Sequence, residues 1–446
     1  MQRSMELRPY PDLCLRRGNG LLAWLVAALL LLLPAMAWAS PKEDAVIEQR
    51  AHEAVEVLQG KREPASVFNA HFLAAVPPAQ IVALGKQVQA ESGAIAAVED
   101  IRATGARSAT FRIRYERAAA GATMTLESEA PFRISGLHIG PALPLGDSFA
   151  KIAADVAALP GGAGFVVARL DDAGPHRLAA SRGSEPFAIG SAFKLWVLDG
   201  LAREIAAGRR QWDEVVRLGP RSLPGGITQD WPDDAAVTVE TLATLMISHS
   251  DNTATDALVA LVGRAPIEQR IRATHRDPAR ALPLLTTAEA FAIKLGPAAP
   301  REAYARADEA GRRRVLAGLD PHGVLAGVNR AELDGPPMAI DSAEWFASPD
   351  DVVRVLDALR GHDDPRVQAI LGVAPNLDAA QRSALAYAGY KGGSEIGVLN
   401  LTWLLRDQAG AWFAVTASWN DPAQALDNAK LEALAHRLVM LARQGA

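Results

Sequence analysis

The chain has 446 residues, of which 49% are hydrophobic and 22% are charged, and its formal net charge is −5 at pH 7. This length allows two domains, and the mildly acidic balance argues against nucleic acid as a partner. The nine histidines are scattered, with no pair at metal-ligand spacing, so we expect no zinc site, no other metal and no cofactor.

Residues 1–39 have the layout of a secretory signal peptide. The apolar run Leu21 to Leu33 follows Arg16-Arg17 and precedes Ala37-Trp38-Ala39. We expect cleavage after Ala39 and export to the periplasm or the medium. An uncleaved anchor is the alternative, and it would be the protein's only membrane contact. Cys14 is the single cysteine, so the cleaved chain would have no disulfide, cysteine nucleophile or thiolate metal site.

Residues 40–140 are predicted to form a small α+β domain. Ser40 to Leu58 has an amphipathic helix pattern, and Ala65 to Val88 suggests one or two further helices. Apolar and polar residues then alternate, as in half-buried antiparallel strands, over Ile95 to Ile101, Ser108 to Arg117, Ala122 to Glu127 and Arg133 to Ile139. The stretch from Gly140 to Gly146 is rich in glycine and proline and is the predicted linker to a second domain, residues 141–446.

Ser191-Ala192-Phe193-Lys194 is the first of three short motifs in the second domain. Apolar residues at helical spacing continue to Ile205 and predict a buried helix that begins at Ser191. Positions i and i+3 share a helix face, so the Lys194 nitrogen would lie beside the Ser191 oxygen. A lysine in apolar surroundings can lose its proton and act as a base. For the tetrapeptide alone, an N-cap serine and a surface lysine are the more common alternative.

Two further motifs follow it. Ser250-Asp251-Asn252 lies between two predicted helices, Val239 to Ile247 and Thr253 to Val262, where a serine can relay a proton and an amide can hold a substrate amide. Lys391-Gly392-Gly393 lies between strand-like segments, where glycines let a substrate approach the strand edge and a lysine can bind a carboxylate. A capping loop and a β-turn are the respective alternatives.

Together, the three motifs resemble the signature boxes of class A β-lactamases and penicillin-binding proteins. The resemblance covers about Gly146 to Ala446 and is carried by Phe187 to Trp196, Leu245 to Asp256 and Gly389 to Gly393. It implies an α/β (α+β) fold of the D,D-peptidase/β-lactamase type, with a five-stranded antiparallel sheet between helices and an all-helical lobe. The matching segments are strands near Phe165 to Leu170, Arg177 to Ser181, 396–405 and 411–419, and a final helix from Pro422 to Arg443.

The resemblance also implies catalytic roles. Ser191 would be the nucleophile, Lys194 the base that activates it, and Ser250 the proton shuttle to the leaving nitrogen. Class A enzymes hydrolyse the acyl-enzyme with a glutamate on a loop written Arg-x-Glu-x-x-Leu-Asn. Glu332 is the nearest match, although Leu333 follows it directly and the asparagine position is a proline. A solvated loop glutamate is the alternative for Glu332.

The same resemblance implies the substrate-binding residues. Asn252 would hold a substrate side chain, and Lys391 would bind a carboxylate. The N–H groups of Ser191 and Ser394, beside Gly393, would form the oxyanion hole. Gly392 departs from the usual Lys-Thr-Gly or Lys-Ser-Gly, so we expect a hydroxyl that helps to bind the carboxylate to be missing.

Two segments exceed the family pattern. Arg264 to Leu319 adds helical, arginine-rich sequence, and its Arg312-Arg313-Arg314 run is predicted to form a solvated face. At the amino-terminal end, helices followed by a curved sheet resemble the nuclear-transport-factor or steroid-isomerase-like fold. The combination is the layout of two-domain proteins of clavulanic-acid-type gene clusters, and we expect this first domain to be a docking or scaffold module.

Three functions stay open at this point. The first is a secreted hydrolase of the β-lactamase type that acts on a lactam, ester or amide through an acyl-enzyme. The second is a penicillin-recognising D,D-peptidase acting on cell-wall peptides. The third is a sensor of β-lactams or wall fragments that stays acylated. All three take a small-molecule or wall-derived substrate.

Overall fold

The computed structural model describes residues 41–442, apart from 141, 224 and 329–334. The predicted signal segment, residues 1–39, and the predicted base Glu332 lie outside the described residues. No helix within the described ranges is long and apolar enough to cross a membrane.

The first unit consists of four helices followed by an antiparallel sheet. The helices are α1 (Pro41–Leu58), α2 (Pro64–Val67), α3 (Ala70–Ala75) and α4 (Pro78–Ser92). The strands pair in chain order and are β1 (Ile95–Gly105), β2 (Ser108–Tyr115), β3 (Ala118–Leu126) and β4 (Ile134–Ile139). Alternate residues of β2 and β3 are buried, because one face of this sheet packs on the helices. The four predicted strands are therefore confirmed, while the steroid-isomerase-like identity of the unit stays a prediction.

The predicted linker is partly fixed to the first sheet. Its centre, β5 (Leu143–Pro144), pairs with Ala118 and Ala119 of β3. Just after it, the Asp147 carboxylate accepts hydrogen bonds from Arg437 at 2.7 and 2.8 Å. The junction between the two units is therefore held by backbone pairing on one side and by an ion pair on the other.

The second unit is built on an antiparallel sheet with helices on both faces. Its strands are ordered β12-β14-β15-β6-β7, and β13 pairs with the end of β14. The strands are β6 (Gly162–Asp171), β7 (Gly174–Ser181), β12 (Leu385–Tyr390), β13 (Gly393–Glu395), β14 (Val398–Asp407) and β15 (Trp412–Asn420). Successive side chains of β6 and β15 enter two different hydrophobic clusters. Both faces of the sheet are therefore buried, which explains why these strands are almost entirely apolar.

The helices of the second unit divide between the sheet and a helical lobe. Against the sheet lie α5 (Phe149–Ala157), α14 (Pro349–Arg360) and α17 (Asn428–Ala442). A 3-10 turn, Gly190–Phe193, leads into the buried helix α6 (Lys194–Ala206). The others are α7 (Val239–Ser248), α8 (Asn252–Val262), α9 (Arg264–Thr274), α10 (Thr287–Leu295), α11 (Ala298–Arg306), α12 (Glu309–Ala317), α13 (Pro321–Ala326), α15 (Pro365–Leu371) and α16 (Ala379–Ser383).

Two pairs of short strands connect the sheet and the lobe. They are β8 (Phe187–Ala188) with β11 (Phe346–Ala347), and β9 (Val215–Arg217) with β10 (Ala236–Thr238). Strand β8 runs directly into the 3-10 turn, and its partner β11 directly precedes α14. The pair therefore fixes the start of α6 close to the start of α14.

Two sequence expectations need correction. The final helix begins at Asn428 instead of Pro422, because the Asp421 side chain accepts from the Ala423 N–H at 2.9 Å and holds a turn there. The arginine run is only partly solvated. Arg313 donates to the carboxylates of Glu268 and Glu309, and Arg312 donates to backbone carbonyls of the loop before α10.

Candidate active site

Ser191 lies in the 3-10 turn at the start of α6, as its motif predicts. Lys194, the first residue of α6, donates its backbone N–H to the Ser191 carbonyl. Gly190 adopts a φ of +48°, which leads the chain from β8 into the turn. Phe193 stacks on Trp345 with ring centroids 4.2 Å apart. The turn that carries the serine is therefore fixed by its backbone and by a buried aromatic pair.

Lys194 is completely buried and lies at the centre of the site. Its Nζ donates to Ser191 Oγ at 3.0 Å and to Asn252 Oδ1 at 2.7 Å. It also lies 2.6 Å from the Ser250 carbonyl oxygen and 3.2 Å from Ser250 Oγ. Burial lowers the pKa of Lys194 well below its ordinary value, and the charge of Lys391 lowers it further, against the opposing effect of Asp256 and Asp251. A neutral amine that can take the serine proton is therefore accessible.

Ser250 bridges the two lysines of the site. Its Oγ accepts from Lys391 Nζ at 3.0 Å and lies 3.2 Å from Lys194 Nζ. The residue has a φ of +54°, an unfavourable conformation for a side chain with a Cβ, which costs about 1–3 kcal/mol. Asp251 supports this bend, since its side chain accepts from the N–H groups of Ala254 and Thr228 at 2.8 Å. The loop between α7 and α8 is therefore built to present Ser250 to both lysines.

Lys391 follows β12 and is almost fully buried. Its backbone N–H donates to Thr402 on the neighbouring strand at 3.0 Å, which fixes where the side chain leaves the sheet. Burial lowers the pKa of Lys391 to about 7. The charge of Lys391 therefore changes near neutral pH.

Gly393 allows strand β13 to approach Ser191 closely. A Cβ on Gly393 would lie 2.0 Å from the Ile189 carbonyl oxygen and 2.5 Å from the Ser191 nitrogen. A Cβ on Gly190 would lie 3.1 Å from the Ser394 nitrogen. Glycine is thus required where β13 meets the 3-10 turn, and the backbone nitrogens of Ser191 and Ser394 lie at the same corner of the site.

A cavity of about 690 Å³ opens at this corner. It is lined by polar residues from all three motifs and by Phe291, Trp345, Tyr390 and Glu395. The structure therefore brings together the predicted residues Ser191, Lys194, Ser250, Asn252, Lys391, Gly393 and Ser394. Within the described part of the chain, no group of three or more histidine, cysteine, aspartate or glutamate side chains could hold a metal ion.

Sequence reasoning missed a buried charge cluster at the edge of the cavity. Lys294 of α10 pairs with Glu344 and, at 2.5 Å, with Glu395 of β13. Burial and the nearby Glu344 raise the pKa of Glu395 to about 8, although Lys294 acts in the opposite direction. The three residues are 50 or more positions apart and belong to none of the motifs. Only Glu395, two residues beyond Gly393, had a position that could have drawn attention to it.

The comparisons with known proteins agree with this architecture. Residues 147–360 match the model of the beta-lactamase enzyme family. This match, with the sheet and the helical lobe, confirms the predicted D,D-peptidase/β-lactamase fold. No curated protein matches the chain.

Solved structures similar to the chain include β-lactamases and a penicillin-binding protein. A β-lactamase from Sphaerobacter thermophilus DSM 20745 is 22% identical, with a TM-score of 0.45 over 67% of this chain and 97% of that one. A β-lactamase from Desulfarculus baarsii DSM 2075 is also 22% identical, with a TM-score of 0.45 over 68% and 100%. A structure of PBP-A is 16% identical, with a TM-score of 0.44 over 68% and 97%.

Proposed function

We propose that the protein is an exported serine hydrolase of the class A β-lactamase type, which forms an acyl-enzyme at Ser191 with β-lactams or related amides and esters. The observation that carries the proposal is the 3.0 Å contact between Ser191 Oγ and the fully buried Nζ of Lys194. A buried lysine with a lowered pKa beside a serine hydroxyl is the arrangement that activates a serine nucleophile.

Acylation follows from these contacts. Neutral Lys194 takes the Ser191 proton while Oγ attacks the carbonyl carbon, and the N–H groups of Ser191 and Ser394 stabilise the oxyanion. Ser250 Oγ then gives its proton to the leaving nitrogen, which breaks the C–N bond. Ser250 regains a proton from Lys194, whose Nζ lies 3.2 Å away. Lys391 binds the substrate carboxylate and, when charged, also favours the neutral form of Lys194.

Deacylation determines which of three functions applies. Glu332 is our candidate for the base that activates water, and a Glu332→Gln variant tests it. If turnover is unchanged in that variant, Glu332 is not the base. A D,D-peptidase and a sensor that stays acylated share the acylation chemistry and differ from a β-lactamase in the lifetime of the acyl-enzyme.

One experiment separates these possibilities. The purified protein is mixed with a chromogenic cephalosporin, and both turnover and intact mass are followed, with Ser191→Ala as the control. Sustained turnover supports a β-lactamase. A long-lived adduct without turnover supports the peptidase or the sensor. If neither turnover nor an adduct is observed, all three proposals are wrong.

Export and the role of the first unit belong to the same proposal. The apolar run Leu21 to Leu33 and the Ala37-Trp38-Ala39 site support a cleaved signal peptide. A mature amino terminus at Ser40, determined on protein from the periplasm or medium, is the expected result. Residues 40–140 would act as a docking or scaffold unit for the hydrolase.

A further inference from the structure

We propose that the hydroxyl of Tyr390 replaces the one that position 392 lacks, and that it donates a hydrogen bond to the substrate carboxylate. The inference rests on the proposed function, since it concerns the carboxylate subsite of the same cavity. It changes the expectation from the sequence, in which Gly392 simply leaves that subsite without a hydroxyl.

The Tyr390 hydroxyl lies where a side chain at position 392 would be. A Cβ on Gly392 would lie 2.2 Å from Tyr390 Oη and 2.9 Å from Cζ. In extended backbone, residues i and i+2 face the same side, so a side chain at 392 would point to the place that the phenol hydroxyl occupies. Both residues line the cavity beside Lys391. Tyr390 therefore fills the space where a threonine or serine at 392 would put its hydroxyl group.

The phenol ring is held in this position by its neighbours. Tyr390 packs on Trp403 of the paired strand, with ring centroids 5.0 Å apart and the planes tilted by 44°. Trp403 is itself fixed, since its indole N–H donates to the Pro375 carbonyl at 2.9 Å. A ring held against Trp403 can place its hydroxyl for binding without losing much rotational freedom.

The hydroxyl is protonated and available as a donor. Burial raises the pKa of Tyr390 far above neutral, so the O–H is retained at any working pH. The Asn376 side chain acts in the opposite direction and lowers this pKa. The phenol of Tyr390 therefore keeps its O–H, which can donate a hydrogen bond.

The cavity offers few positive charges to a substrate carboxylate, so a neutral donor such as Tyr390 can contribute to its binding. Among the described residues that line the cavity, Lys391 is the only lysine or arginine, whereas Glu395 and Glu432 are acidic. The side-chain amide of Asn400, on the strand opposite Gly393, is buried and donates to Ser418 at 2.9 Å. Lys391 is therefore the one cation that these lining residues offer to a substrate carboxylate, and the Tyr390 hydroxyl adds a neutral donor at the adjacent position.

The test compares a penicillin with its methyl ester, in which the carboxylate is blocked. The quantity measured is the second-order rate constant for acylation by the penicillin divided by that for acylation by its methyl ester. Each rate constant is obtained by following the intact mass of the protein. In Tyr390→Phe we expect this ratio to fall about 10-fold, which corresponds to about 1.4 kcal/mol, because one hydrogen bond to a charged group is lost. Tyr387→Phe is the matched control, since its hydroxyl lies on the same strand but donates to the Gln368 carbonyl at 2.8 Å. Its ratio should stay at the wild-type value.

A second variant pair tests replacement directly. In Tyr390→Leu the hydroxyl and the ring are lost, and adding Gly392→Ser to that variant should raise the ratio again, because the serine can now occupy the vacated space. The same Gly392→Ser change in the wild-type background should lower the ratio, since it displaces Tyr390.

An equal loss for both compounds in Tyr390→Phe, or no loss for either, would overturn the inference while leaving acylation at Ser191 intact. Failure of the wild-type protein to react with both compounds would instead contradict the proposed function, and the inference with it.

Discussion

Lys294→Met should strongly destabilise the second unit, by an amount that grows with pH. Lys294 and Glu344 are each only 3% exposed, and Lys294 also pairs with Glu395. Methionine has a similar length but no charge, so the two carboxylates would be left buried without a cation. Removing one partner of a buried ion pair costs about 3–5 kcal/mol, and we expect this loss at about pH 9, where Glu395 is charged in the wild-type protein.

The sign of the pH effect follows from the carboxyl groups. Burial and Glu344 already raise the pKa of Glu395 to about 8 with the lysine present, and loss of the lysine removes the charge that opposes this shift. A group whose pKa is raised in the folded state takes up protons on folding, so it favours the folded state at low pH and loses that contribution as the pH rises. Below about pH 8 Glu395 is protonated with or without Lys294, so the loss caused by Lys294→Met should grow as the pH rises above about 8.

Tryptophan fluorescence isolates the unit concerned, because every tryptophan after residue 40 lies at or beyond Trp196. Urea unfolding followed by this signal at about pH 7 and about pH 9, on either side of the pKa of Glu395, gives the two free energies. Arg306→Met is the control, since its pair with Glu302 is exposed on both sides and should contribute almost nothing. Adding Glu344→Gln to Lys294→Met should recover part of the loss. A loss no larger than that of the control, or one equal at both pH values, would refute the reasoning.

Three further predictions concern the site. Gly393→Ala should reduce the rate of acylation about 100-fold, because its Cβ would lie 2.0 Å from the Ile189 carbonyl oxygen and must displace β13 or Ser191. Gly361→Ala is the control and should leave the rate unchanged, since its Cβ would have its nearest neighbour at 3.6 Å. The concentration of a penicillin needed for half-maximal acylation should rise as the pH passes about 7, because Lys391 loses its charge there. The concentration of the methyl ester needed should stay constant over the same pH range. Parallel pH profiles for both compounds would contradict the role of Lys391 in carboxylate binding. Phe193→Ala should lower the free energy of unfolding by about 3–5 kcal/mol, since it removes a buried ring stacked on Trp345, and a loss below that of an ordinary surface substitution would be inconsistent with the stack.

The sequence predicted the fold and the motif residues well for a physical reason. Ser191 and Lys194 are three positions apart on one turn, so their contact follows from local helix geometry. The alternating patterns of β2 and β3 report one buried sheet face directly. The start of the final helix was wrong because a single side chain, Asp421, competes with helical hydrogen bonds, which apolar periodicity does not reveal.

The remaining features depend on long-range packing. Lys294, Glu344 and Glu395 meet only after α10, the segment before α14 and β13 have been assembled, and a charged residue in sequence is ordinarily expected at the surface. Tyr390 and Gly392 are different, since their shared strand face was readable from their spacing. The position of the ring could not be predicted from the sequence, because it depends on packing against Trp403 of the neighbouring strand.

The residue to which a β-lactam becomes attached tests the proposed acylation at Ser191 most directly. The protein is reacted with a penicillin, digested with trypsin and examined by mass spectrometry. We predict that the added mass lies on the peptide that spans residues 183–194, and that fragmentation of this peptide places it on Ser191. The Ser191→Ala protein should carry no adduct. An adduct on another residue, or an adduct that persists in Ser191→Ala, would contradict the proposal that Ser191 and Lys194 form the acylation site.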